Sequence, residues 1–138
     1  MNAVVRQESE IEPRGQDAIE IHMETSRRGA VYRLEGYAPT TQERLAALKQ
    51  VLGQAAELEF RSDILSWYCK RPFNSDFIEP AVEMLVKADD RSMRLGWVSH
   101  CVTDDRILET LAIECIVSGL NVQHFQDIAR ATRWARFL

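Results

Sequence analysis

Two stretches of alternation near the start of this chain constrain its fold more than any other feature. Ile19, Ile21 and Met23 fall on one side of an extended segment and Glu20, His22 and Glu24 on the other. After residues 25–29 the alternation resumes, with Ala30, Tyr32 and Leu34 opposite Val31, Arg33 and Glu35. A period of two belongs to a strand with one face buried. The five linking residues are polar and end in Gly29, so the two strands read together as a β-hairpin.

Gly36 and Pro39 end that period, and Thr40 with Glu43 has the spacing of a capping box, in which each side chain satisfies the other's free backbone N–H. The spacing predicts a helix whose apolar stripe runs through Leu45, Leu48, Leu52 and Ala55, widened by Val51 and Leu58, with Glu43, Arg44, Lys49, Gln50 and Glu57 mostly turned away. Ser62 and Asp63 suit the cap of a second, short helix through Ile64, Leu65, Trp67 and Tyr68, which Pro72 would end. A third helix is expected to begin near Pro80, with Asp76 or Glu79 as its cap, and to run through Val82, Leu85 and Val86 to about Lys87.

Residues 92–102 carry Met93, Trp97 and Cys101 at helical spacing, against a β-branched character that favours a strand; the helical reading is preferred. Asp89-Asp90-Arg91 and Asp104-Asp105-Arg106 read as two helix starts. From Asp104 to Ser118 the chain is apolar almost all round, the pattern of a helix central to the core. Gly119 ends it, and Asn121 is expected to cap a final helix carrying Val122, Phe125, Ile128 and Ala129.

The fold class expected from these elements is α+β, mainly α: an N-terminal β-hairpin packed on a bundle of about five helices. The first 16 residues mix charge with Pro13 and Gly15 and are expected to form a flexible arm, and residues 17–138 a single globular domain. Hydrophobic residues make up 46% of the chain and charged ones 28%, enough apolar surface to fold without a metal or disulfide staple.

A net charge of -4 argues against a surface given over to phosphate binding. No apolar run approaches a membrane span, and Glu8, Glu10 and Glu12 stand where a signal peptide needs an apolar stretch, so a cytoplasmic protein that does not engage membranes is expected. Cys69, Cys101 and Cys115 are odd in number and lack CxxC spacing, so they read as reduced thiols.

Catalytic chemistry finds little support. A thiol enzyme would pair one of these cysteines with His22, His100 or His124, but His100 and Cys101 are adjacent and point apart on either a helix or a strand. His100, Cys101, Cys115 and His124 are zinc-type ligands without a compact pair among them, so no metal and no cofactor is expected. Glu79 with Glu83, and the two Asp pairs, are explained by helix caps and solvated faces. No Gly-rich phosphate loop, GxSxG elbow or HExxH pair occurs.

The residues that stand out instead are Arg130, Arg133 and Arg136 beside Trp134 and Phe137, and the Lys70-Arg71 pair within an aromatic segment from Trp67 to Phe73. Arg and aromatic side chains anchor interfaces. The expected function is therefore a small non-catalytic protein that binds another macromolecule: an inhibitor, immunity protein, adaptor, chaperone or assembly subunit, with a protein partner of acidic surface. A homodimer is compatible with the same composition. The alternative is a nucleic-acid-binding regulator that reads DNA through the last two helices, which resemble a degenerate helix-turn-helix in outline. A thiol-dependent enzyme ranks below both.

Overall fold

The computed structural model describes residues 19–25, 29–57, 62–88 and 94–136. They form one five-stranded sheet of strands β1 (Glu20–Thr25), β2 (Gly29–Gly36), β3 (Ser62–Cys69), β4 (Arg94–Ser99) and β5 (Asn121–Phe125), with helices α1 (Thr41–Ala55), α2 (Ile78–Ala88), α3 (Asp105–Val117) and α4 (Ile128–Arg136). The strands lie in chain order, β1 antiparallel to β2 and the other neighbours parallel. The expected hairpin on a helical bundle is thus corrected: the antiparallel pair is the edge of a mixed α/β sheet, and three of the elements that follow it are strands. The expected arm at residues 1–16 lies outside the described residues.

Parallel crossovers take one hand almost without exception, so strands added in chain order carry their connecting helices on the same face. The core shows this: Ala47, Leu48 and Val51 of α1, Ala81 and Leu85 of α2, and Leu108, Leu111 and Cys115 of α3 pack in one cluster with Tyr32, Leu34, Leu65, Trp67, Leu95, Trp97 and Val122 from the sheet. At its centre Trp67 and Trp97 stack with centroids 5.6 Å apart, and Phe73 and Phe77 meet Trp67 edge-on at 5.1 and 6.2 Å. Among the described residues the opposite face carries only α4. Ala131 packs on Ile64 and Val98, flanked by Val31, Phe125, Ile128 and Ala135. Gly96 makes that docking close, because a Cβ there would stand 3.4 Å from both the Trp134 ring and Ile64.

Each misread element has a physical cause. Residues 62–69 form β3 rather than a short helix, because its residues from Ser62 to Trp67 are buried without a break and a strand covered on both faces loses its alternation. The same holds for β4, expected as a helix. At Asn121, where a capped final helix was expected, β5 is a five-residue edge strand with Val122 alone fully buried, too short for its alternation to stand out. With β5 between α3 and α4, the helix-turn-helix outline is removed. Helix α3 is a two-faced helix, with Ile113, Ile116 and Val117 exposed, and not one buried all round. Asp104 makes no cap; it is buried, accepting from the Phe73 N–H and the Ser99 hydroxyl, both at 2.7 Å.

The Thr40–Glu43 capping box forms as expected, with Thr40 N–H donating to Glu43 Oε1 at 2.8 Å and Glu43 N–H to Thr40 Oγ1 at 3.1 Å. The buried face of α1, however, is turned so that Arg44 is almost wholly enclosed. Its guanidinium lies 3.8 Å over the Phe73 ring and donates to the Arg71 carbonyl, and burial lowers its pKa against the favourable charges of Cys69 and Asp104. Neither Asp76 nor Glu79 caps the approach to α2. Asn74 accepts the Ser75 N–H, while Asp76 accepts from the Thr41 hydroxyl at 2.7 Å.

Candidate functional site

The face bearing α4 is half built. Helix α4 touches β3, β4 and β5, and among the described residues no helix covers β1 and most of β2 on this face. The register places Glu20, His22 and Glu24 of β1 beside Glu35, Arg33 and Val31 of β2 on this bare part, and next to them stand Ile64, Ser66 and Tyr68 of β3. A groove runs between the edge strand and α4 as two continuous segments that share Glu24, Val31 and Ile128. One is about 370 Å³, with Ile64, Thr132 and Ala135 among its walls; the other is about 340 Å³, with His22, Arg33, Ser66 and Tyr68.

The first segment is the more apolar. Ile128, Thr132 and Ala135 are spaced at four and three residues, so they form one stripe of α4 along the groove. The second is polar and tightly organised. Tyr68 stacks on His100 with centroids 3.7 Å apart, His100 Nε2 lies 2.9 Å from the Ser66 hydroxyl, and the Arg33 guanidinium sits 5.7 Å over the Tyr68 ring. Burial pushes the His100 pKa down, which favours the neutral ring held by Ser66. Arg33 Nε donates to Glu35 Oε2 at 2.6 Å.

The residues singled out in the sequence take separate positions. Lys70 and Arg71 are exposed just beyond β3, both donating backbone N–H groups to the Tyr37 carbonyl. Arg130 is paired with Asp127 at 3.6 Å and Arg133 is exposed on α4. Trp134 is half-buried, its ring 5.2 Å from Phe125 and 4.7 Å below the Arg94 guanidinium, so it holds α4 to the sheet. The Arg136 side chain and Phe137 lie outside the described residues. The groove itself escaped sequence reasoning, because nothing local says which strands α4 covers.

Of the thiols and histidines considered for catalysis, Cys69, Cys101 and His100 line one open depression of about 510 Å³ with Tyr68, Lys70 and Thr103, whereas Cys115 lies apart from them. Cys115 is sealed in the core and its pKa is pushed up to about 12 by burial. Burial also raises Cys69, and Cys101 Sγ lies 3.0 Å from the Thr103 hydroxyl. His124 Nε2 faces Asp105 at 3.6 Å, its pKa lowered by burial against the pull of that carboxylate. Among the described residues the one cluster of metal-type ligands is Glu20, His22 and Glu35, a set the sequence reading did not assemble.

No family model matches the sequence, and no curated protein matches it either. Among solved structures the chain is similar to an anti-sigma factor antagonist from Mycobacterium paratuberculosis, with a TM-score of 0.60 over 87% of this chain and 96% of that one, at 13% identity. At that identity the likeness is one of fold, and it agrees with the mixed five-stranded α/β architecture described above. Among the described residues no helix is long and apolar enough to cross a membrane.

Proposed function

We propose that this chain is a non-catalytic regulator that acts by docking a helix of a partner protein into the groove between α4 and the edge strand. The observation that carries the reading is that, among the described residues, half of this helical layer is missing. Neighbouring strands are about 4.8 Å apart, so two bare strands span about 10 Å, the diameter of one helix with its side chains. A partner helix laid beside α4 would complete the layer, its apolar stripe resting on Val31, Ile64, Ile128 and Ala135.

Two further points support it. Among the described residues the strand order never reverses, so the sheet has no topological switch point of the kind at which open α/β sheets bind ligands. The fold is also that of a protein described as an anti-sigma factor antagonist, whose role is to bind another protein. The β1 wall is acidic through Glu20 and Glu24, whereas Arg133 stands exposed on α4. The fitting partner helix therefore carries basic residues towards β1, while Arg133, off the stripe of Ile128, Thr132 and Ala135, faces away from the groove.

The test is affinity capture from the native lysate with the intact chain, in parallel with Ala135→Arg and with Glu24→Arg, which narrow opposite walls of the groove. A protein retained by the wild type at moderate salt and after nuclease, and weakened at least about tenfold by both substitutions, fits the reading. A partner bound equally by all three forms refutes docking in the groove, and recovery that vanishes with nuclease refutes the protein partner.

A further inference from the structure

Glu20 and Glu35 are direct cross-strand partners in the antiparallel pair of β1 and β2. Like charges opposite one another destabilise a sheet, and here Arg33 offsets the charge of Glu35 through its Oε2 and leaves Oε1 facing His22. His22 stands on the same face of β1, its Nε2 3.4 Å from Glu20 Oε1 and 3.9 Å from Glu35 Oε1, and the three ligand atoms all lie within 4.8 Å of one another. Zinc binds imidazole nitrogen and carboxylate oxygen at about 2.0–2.1 Å, which places neighbouring ligands of a tetrahedral site roughly 3.3 Å apart. The His22–Glu20 spacing meets that geometry, and the remaining separations, all within 4.8 Å, close by rotation of exposed side chains.

Glu35 divides its two oxygens between separate roles. Oε2 accepts from Arg33 Nε at 2.6 Å, while Oε1 is the oxygen that faces His22. A carboxylate held by one oxygen and offered by the other is the arrangement in which an outer partner orients a metal ligand. The Arg33 charge that fixes Glu35 also neutralises one carboxylate, so the pocket offers a metal about one net negative charge rather than two.

We propose that Glu20, His22 and Glu35 form a binding site for a divalent transition ion of the zinc type, with its remaining coordination position open at the rim of the groove. One nitrogen and two carboxylate oxygens suit zinc better than magnesium, which favours an all-oxygen octahedron and retains its water. The three ligands come from two adjacent strands of a sheet edge, so their positions are set by the ladder of the hairpin and not by a loop.

The experiment is calorimetric titration of the intact chain, free of any histidine tag, with Zn2+, alone and in the presence of excess Mg2+. The expected result is one ion per chain, insensitive to Mg2+, with His22→Ala weakening binding at least about tenfold and Glu20→Gln and Glu35→Gln each weakening it, since loss of a direct ligand exceeds loss of an outer partner. The side chains of His22 and Glu20 are 52% and 76% exposed, so these variants fold, and circular dichroism checks that they do. Cys69→Ser combined with Cys101→Ser leaves the affinity unchanged. Absence of zinc binding overturns the proposal, as does binding that survives His22→Ala or that disappears with the two cysteines.

Discussion

Replacing Asp63 by Asn should change how the stability of this protein depends on pH. Asp63 is 3% exposed at the start of β3, on the sheet face covered by α1, α2 and α3, and its Oδ1 has no hydrogen-bond partner. Burial raises its pKa from 3.8 to about 6, against the opposing pull of the Ala30 N–H, and with burial's own effect on Tyr32 the nearby negative charge lifts that phenol to about 12. A folded-state pKa above the unfolded one means that the native protein holds the proton more tightly. Stability is then fully present below about pH 4 and is lost as pH rises through 6. A shift of about two units corresponds to roughly 3 kcal/mol lost by neutral pH, at about 1.4 kcal/mol per unit. The substituted amide carries no charge, so this dependence disappears, whatever fixed offset of about 1–2 kcal/mol its unpaired hydrogens introduce. Urea denaturation of both proteins at pH 4 and pH 7.5 reads the effect, and subtracting one from the other cancels the titrations they share. The Asp63→Asn variant should gain about 2 kcal/mol on the wild type between the two pH values. A difference that stays constant with pH would refute a buried carboxylate at this position.

Two further substitutions test the sheet's two covered faces by thermal or urea denaturation. Phe77→Ala removes a wholly buried ring edge-on to Trp67, and should cost about 3–5 kcal/mol, with a loss below about 1 kcal/mol contradicting the packing. Gly96→Val puts a branched side chain where even a Cβ would sit 3.4 Å from Trp134 and Ile64, and should destabilise by about 1–3 kcal/mol and red-shift the Trp134 emission as α4 lifts and the indole meets more water; an unchanged midpoint would show that α4 does not lie against β4.

How much of this fold is legible in the sequence depends on which strands are covered twice. Ile21, Tyr32 and their neighbours alternate with His22, Arg33 and Glu35 because one face of β1 and β2 packs on the helical core and the other, among the described residues, is largely open. In β3 the run of Ile64, Leu65, Ser66 and Trp67 is buried on both sides, and in β4 Leu95 and Trp97 face the main core while Val98 meets α4. There the period-two signal is erased, and a short apolar run does not separate strand from helix. Arg44 misled for a related reason: one long side chain beneath Phe73 looks like a solvated position until the aromatic that covers it, distant in the chain, is brought near. The same logic bears on the site. The strands whose alternation can be read are those that α4 leaves bare, so the polar face of Glu20, His22, Glu24, Arg33 and Glu35 is both the clearest pattern in the chain and the floor and rim of the open half-layer. The alternation is therefore the imprint of a surface that no described element covers, and a homologous chain in which those positions turned apolar would be expected to carry its own second helix over β1 and β2.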